Sequence, residues 1–337
     1  MTKNNRFEEL DVFRGLAALS VVLFHYTTRY DQVYQHTTPT AFSAPWGHLG
    51  VQFFFIISGF VIFMTLEKCH SWKDFSVSRL SRLYPAYWAA VLLTFTLGYL
   101  SPLPNQSLTF SQLIVNLTML QAFFYVPAVD GVYWSLAWEL NFYFVMLFLF
   151  LTSRLKSMNF IAPLWLSAMI TTYFLLEANI DVPWRIQTFF VLQFTHLFIA
   201  GIYFYKWKQE GFSLYKLTIL LSCLAAELIT GDVISSAFST SFFILFALAI
   251  NDKLSFIKQK PLIWLGSISY TLYLVHQMIG FKIIYTLNEN GLHSTTSVFL
   301  ALIASLYIAN LITKHIEKPV MRKIRNSYKK TSINCSP

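Results

Sequence analysis

LDVFRGLAALSVVLFHYTT, residues 10–28, contains enough apolar side chain to cross a bilayer once, and its reading sets the class of the whole chain. A helix needs about 20 mostly apolar residues for this, because each adds about 1.5 Å and every backbone group in hydrocarbon must be bonded internally. No small-residue cleavage site follows the stretch, so it is expected to remain as an anchor and not to leave as a signal peptide. Nine further stretches have the same character: 49–66, 83–100, 134–152, 159–176, 187–205, 215–230, 235–250, 261–285 and 295–315. The prediction is an all-α polytopic membrane bundle of about ten spans. Residues 112–126 are apolar but short and closed by Pro127, and are expected to form a partly buried external loop.

Composition agrees: 55% of the 337 residues are hydrophobic, 18% aromatic and only 12% charged, a mixture that suits lipid better than a water-facing surface. The formal charge of +9 would point to nucleic acid in a soluble protein, so the placement of the basic residues decides its meaning. With the N-terminus inside, 22 of the 25 Lys and Arg fall in cytoplasmic segments and adjoining helix ends, from Lys3 and Arg6 to Lys330. Arg29, Arg185 and Lys282 are the exceptions. This is the positive-inside pattern, and it places both termini in the cytoplasm and excludes a nucleic-acid partner. The chain reads as one membrane domain, residues 1–316, followed by a short basic cytoplasmic tail, 317–337. Cys69, Cys223 and Cys335 lack metal-ligand spacing, and neither a disulfide nor a metal site is expected.

Ionisable side chains inside spans are costly and need a partner, a wet cavity or a role. Arg14 and His25 lie eleven residues apart on the first span. That is about three turns and roughly 16 Å, so they share one face at two depths. Arg14 either snorkels to the inner headgroups or serves a buried site. His25, toward the outer third, is either an interfacial histidine or a general base, for which an imidazole is suited near neutral pH. Glu139, in YWSLAWELNFYF on the inward-running fourth span, reaches a similar depth. It either pairs with a cation or orients a base and binds hydroxyls. Trp134 and Trp138 serve as belt residues or a stacking platform. Ser269, Tyr273 and His276 share a face of the ninth span, with Tyr270 beside them. His196, in the sixth span, is left as a polar helix contact. Arg79 and Arg82 stand at the entrance to the third span, where Pro85 starts or bends the helix. They either follow positive-inside retention or bind phosphate.

Six segments, in order, carry a resemblance: LDVFRGLAALSVVLFH at 10–25, FFFIISGFVI at 53–62, RLSR at 79–82, WSLAWE at 134–139, SYTLYLVH at 269–276 and EKP at 317–319. In these the chain resembles the acyltransferase-3 family of integral membrane O-acyltransferases over nearly its whole length. The resemblance implies a ten-helix enzyme of the bacterial cytoplasmic membrane. It would take acetyl-CoA or another acyl-CoA as co-substrate, with no bound cofactor, and acylate a hydroxyl of O-antigen, exopolysaccharide, peptidoglycan or a related glycan, free or lipid-linked. Residue by residue, it makes His25 the essential histidine, Arg14 its paired arginine, Arg79 and Arg82 the cytoplasmic arginine pair and Glu139 the acidic end of its motif. Asp11, Trp134, Ser135, Ser269, Tyr270, Tyr273 and His276 are assigned to acceptor or supporting positions. Members often carry a fused SGNH esterase-like domain, which has no counterpart here; the expectation is action alone or transfer to a separate periplasmic partner.

On this reading Arg79, Arg82 and Arg14 hold the donor's phosphates. His25 then either deprotonates the acceptor hydroxyl or forms an acyl-imidazole. The competing class is a transporter or flippase of a glycan-type substrate, for which buried charges are equally natural.

Overall fold

A computed structural model describes residues 7–334; Lys3, Arg6 and Cys335 lie outside them. Every regular element among the described residues is helical. In order these are α1 (Glu8–Phe24), a π-turn at His25–Arg29, α2 (Tyr30–Tyr34), α3 (Gly50–Leu66), α4 (Trp72–Leu100), α5 (Phe110–Asn116), α6 (Trp134–Leu151) and α7 (Met158–Glu177). There follow α8 (Trp184–Phe189), α9 (Thr195–Glu210), α10 (Leu214–Thr230), α11 (Val233–Ile250), α12 (Lys260–Glu289), α13 (Ser294–Ile312), a second π-turn at Thr313–Glu317 and α14 (Lys318–Asn334). Among the described residues, eight helical stretches are long and apolar enough to cross a membrane. The other two predicted spans are present as α9, of 16 residues, and α10, of 17. The chain is a polytopic helical membrane bundle.

Three elements depart from their predicted bounds. α4 begins at Trp72, so Arg79 and Arg82 ride on the helix and Pro85 sits inside it. The polar run KDFSVSRLSR hid this helical start, because hydropathy registers lipid contact and not helicity. The stretch beyond residue 316 continues helically, since the second π-turn joins α13 to α14 without a break. The sixth span is not one helix: α8 ends at Phe189, α9 begins at Thr195, and Val191 between them has φ 57°. Periodicity could not show this break, because every residue from Phe189 to Leu192 is apolar.

The segment after α4 does more than cross a surface. Tyr84 donates to Thr118 O at 2.9 Å, Tyr87 to Asn116 O at 2.7 Å and Trp88 Nε1 to Leu117 O at 2.9 Å, so the loop returns to the middle of α4. Asn116, fully buried, satisfies the turn with its side chain, donating to Gln112 O and Pro127 O and accepting from Val129 N.

The contacts resolve two compact units. The chain through Ala17, Leu49–Trp72 and Leu136–Gly266 forms the first; Ala18–His48, Lys73–Ser135 and the chain from Ser267 onward form the second. In the first unit α3 and α9 meet through glycines. A Cβ on Gly59 would lie 2.1 Å from Phe198 O, and one on Gly201 would lie 2.0 Å from Ile56 O. Small residues allow the backbone approach that membrane helices use in place of hydrophobic collapse. Phe13, Phe53 and Phe246 cluster beside this contact, with ring centroids 5.0 to 5.6 Å apart. In the second unit Gly280 admits Tyr26, whose ring atoms would lie 2.2 Å from a Cβ there.

Gly201→Leu should force α3 and α9 apart and cost about 3 kcal/mol or more, as overpacking does at its upper end. The readout is the thermal unfolding midpoint of detergent-solubilised protein; an unchanged midpoint would contradict the close approach.

Candidate functional site

The second unit builds its polar centre from His25 and His276. His25 opens the π-turn, a local widening of the helix that is frequent at functional sites. His276 is fully buried on α12, whereas His25 is partly exposed. The two rings meet edge to face, centroids 4.8 Å apart, with His276 Nε2 3.1 Å from His25 Nδ1.

Their partners assign the tautomers. His276 Nδ1 lies 2.8 Å from Tyr273 O and 3.2 Å from Leu272 O. A carbonyl only accepts, so Nδ1 carries the hydrogen and Nε2 holds the lone pair. His25 Nδ1 lies 2.9 Å from Val21 O, so it too carries hydrogen, shared between that carbonyl and His276 Nε2. In the neutral ring the basic lone pair of His25 is therefore on Nε2.

Neighbouring contacts fix the height of His276. Tyr26, buried, donates to His276 O at 2.8 Å and bonds Ser305 Oγ at 2.6 Å. Tyr273 donates to Val132 O at 2.9 Å and its hydroxyl lies 2.7 Å from Ser135 Oγ. Tyr270 donates to Leu83 O at 3.1 Å. Asp130, capping the turn before α6, accepts from Val132 N and from Met278 N. Ser135, Tyr270, Tyr273 and His276 are thus brought together as ties that register α12 against α4 and the start of α6. Ser269 is buried on α12, and Trp134 is 46% exposed at the start of α6.

A second cluster gathers on the α4 and α14 helices. Glu317, buried in the second π-turn, faces Arg82 at 3.6 Å and accepts from Thr271 Oγ1 at 2.8 Å and Thr313 Oγ1 at 3.2 Å. Arg325 donates through Nε to Ser81 Oγ at 3.0 Å and through Nη2 to Ser78 O at 2.9 Å. Arg79 Nη2 donates to Ser78 Oγ at 3.1 Å, so Arg79 and Arg325 converge on one serine. A groove of about 700 Å³, walled by Leu80, Tyr84, Trp88, Val320 and Ile324, opens along the same two helices.

The first unit holds the remaining predicted residues. Glu139 Oε1 accepts from Ser58 Oγ at 2.9 Å and Tyr143 OH at 2.6 Å. Trp138 is buried against Phe194, with centroids 5.1 Å apart, and forms part of the core. Arg14 is partly exposed and Asp11 buried on α1. A Cβ on Gly266 would lie 1.9 Å from Asp11 O, so the start of α12 closes on α1 at this level. His196 bonds Glu227 through Nε2.

Sequence reasoning did not single out Arg325 or Glu317 as site residues. Arg325 looked like one more basic residue of a tail. Glu317 stood in the EKP segment, where a carboxylate next to a lysine at the end of a span carried the available signal.

A family model described as an acyltransferase domain matches residues 7–314. Proteins named O-acetyltransferase OatA from Staphylococcus aureus strains NCTC 8325, COL and MRSA252 are 26% identical over 375 aligned positions, covering 93% of this chain and 57% of theirs. The chain therefore spans little more than half the length of these relatives. No solved structure matches it.

Glu317→Ala should remove the carboxylate facing Arg82 and leave the Thr271 hydroxyl without its acceptor, since Thr313 still bonds Thr271, and lower stability by about 1–3 kcal/mol. Thermal unfolding in detergent measures this, and a midpoint equal to that of the unaltered protein would remove the assigned role of the π-turn carboxylate.

Proposed function

Because the chain belongs to the acyltransferase-3 family, we propose that it moves an acyl group, acetyl foremost, from cytosolic acyl-CoA to a hydroxyl of an envelope carbohydrate at a bacterial cytoplasmic membrane. The observation that carries this reading is the paired imidazoles, with His276 Nε2 3.1 Å from His25 Nδ1. An acceptor of hydrogen at Nδ1 keeps the lone pair of His25 on Nε2 and stabilises the imidazolium that forms when this nitrogen takes a proton. His276 thereby does for His25 what a carboxylate does in a hydrolytic triad.

In the proposed reaction the acceptor hydroxyl gives its proton to His25 Nε2 as its oxygen attacks the thioester carbonyl carbon. The carbon–sulfur bond then breaks, the ester forms, and the imidazolium returns the proton to the departing thiolate. His25 ends as it began. Glu139, steadied by Ser58 and Tyr143, is assigned to hold acceptor hydroxyls.

The donor's phosphates are assigned to Arg79, Arg82 and Arg325, and Arg14 is kept as a further candidate for them. Arginine suits this, since its planar fork pairs with phosphate oxygens two at a time. Ser78 and Ser81 hold two of the three guanidiniums in place. The positive-inside pattern puts this cluster on the cytoplasmic side, where acyl-CoA is made.

His25→Ala should lower glycan acylation by at least about 100-fold, the scale of general-base catalysis, with the protein still in the membrane. Mass spectrometry of cell polysaccharides reads the loss; unaltered acylation would remove the proposal. Arg325→Ala should raise the KM for acyl-CoA by about tenfold, as loss of a charged hydrogen bond does, with kcat little changed. An unchanged KM would take Arg325 out of the donor site.

A further inference from the structure

The broken sixth span walls a second polar cavity, of about 440 Å³, in the first unit. α8 stops through a left-handed cap: Val191 N bonds Thr188 O and Leu192 N bonds Gln187 O. A β-branched residue at φ 57° is uncommon, and Val191 is fully buried. Interrupted backbone at membrane depth is tolerated where it lines a cavity. Here it brings Gln187, Gln193 and His196 to the same space as Gln52, Glu227 and Asp232. None of the residues predicted from sequence as site residues lines it.

The centre of the wall is an ordered chain of buried groups. Glu227 Oε2 bonds His196 Nε2, and Glu227 Oε1 lies 3.0 Å from Ser239 Oγ, which also lies 3.0 Å from Gln52 Oε1. His196 and Glu227 are 2% and 3% exposed. Because the carboxylate takes the Nε2 hydrogen, the neutral ring keeps its lone pair on Nδ1, and that atom has no hydrogen-bond partner within the protein. A buried polar atom left unmet costs about 1–3 kcal/mol, so this histidine is held in place by its bond to Glu227 at the expense of its other nitrogen.

The lining defines the ligand's chemistry. It contains no lysine or arginine and two carboxylates, which disfavours phosphate and every other anion. The lining has three side-chain amides: Gln187 Nε2 already donates to Val182 O and Gln52 Oε1 already accepts from Ser239, and the donor and acceptor positions that remain on Gln52, Gln187 and Gln193 form the pattern that vicinal hydroxyls satisfy. Tyr173 and Phe194 add aromatic surface for a sugar ring's apolar face. In the orientation set by the basic residues, Gln52, Gln187 and Asp232 lie at outer ends of spans, where an exported glycan is met.

We propose that this cavity is a binding subsite for a neutral saccharide unit of the acceptor, an inference that rests on the acyltransferase reading for the identity of that glycan. The test uses the full chain in nanodiscs carrying His25→Ala, so that no transfer occurs. Saturation-transfer NMR follows the methyl glycosides of glucose, galactose and N-acetylglucosamine, with inorganic phosphate as the anionic probe. At least one glycoside should bind, and phosphate should not displace it. Glu227→Gln should weaken binding by about tenfold, as loss of a charged hydrogen-bond partner does, and Gln193→Arg, at an exposed position of the lining, should weaken it by about tenfold by placing a bulky cation in a cavity that holds no other. No glycoside signal, a signal indifferent to both variants, or preferential binding of phosphate would overturn the inference. Acyl transfer by the unaltered chain, measured separately, tests the underlying reading. Transfer without glycoside binding at this cavity sinks the subsite alone, whereas glycoside binding without transfer leaves the subsite standing and sinks the acyltransferase reading.

Discussion

Hydrocarbon gives a backbone amide no water to bond, and this constraint shapes the rest of the structure. It forces the chain into helices, and it makes every departure from a regular helix conspicuous. Among the described residues, three such departures stand out: the π-turns at His25–Arg29 and Thr313–Glu317, and the break between α8 and α9. Each lies beside ionisable side chains that hydrocarbon would otherwise reject. The first presents His25, the second buries Glu317, and the third lines a cavity with His196. Irregular backbone and buried polarity occur together because each needs the other's hydrogen bonds.

The imidazole pair shows how position is enforced. Tyr26 and Tyr273 tie α12 on either side of His276, and Gly280, one turn further along the same helix, leaves room for the Tyr26 ring. A glycine that admits an aromatic ring thus helps to hold the backbone that carries His276. The same economy appears in the cationic cluster. Arg82 faces a buried carboxylate, while Arg325 is steered by Ser78 O and Ser81 Oγ and Arg79 donates to Ser78 Oγ, so the positions of the guanidiniums are set from the α4 backbone and its serines.

The two histidine systems also differ in a way that fits different tasks. His25 is partly exposed, and its Nδ1 meets a second imidazole. His196 is buried and bonded to a carboxylate, which fixes its tautomer and favours holding a ligand over exchanging protons. Glu139 is steadied by two hydroxyls in its own unit, which hold its carboxylate in one orientation.

Local composition alone determined the helical class, the approximate positions of the spans and the resemblance that pointed to acyl transfer, because hydropathy over about 20 residues needs no knowledge of neighbours. It also predicted His25 and Arg14 on one face of the first span, but could not show that α1 gives way to a π-turn at His25. It could not see that α4 begins at Trp72 or that the sixth span breaks, since polar residues still form helices and apolar residues still form turns. Only tertiary structure decided that His276 meets His25, that Glu317 meets Arg82, that Arg325 joins Arg79 at Ser78, and that His196 meets Glu227. These pairs are 251, 235, 246 and 31 residues apart in the chain. Such separations leave no trace in a local window, because which side chains meet is set by helix packing and the glycines that permit it.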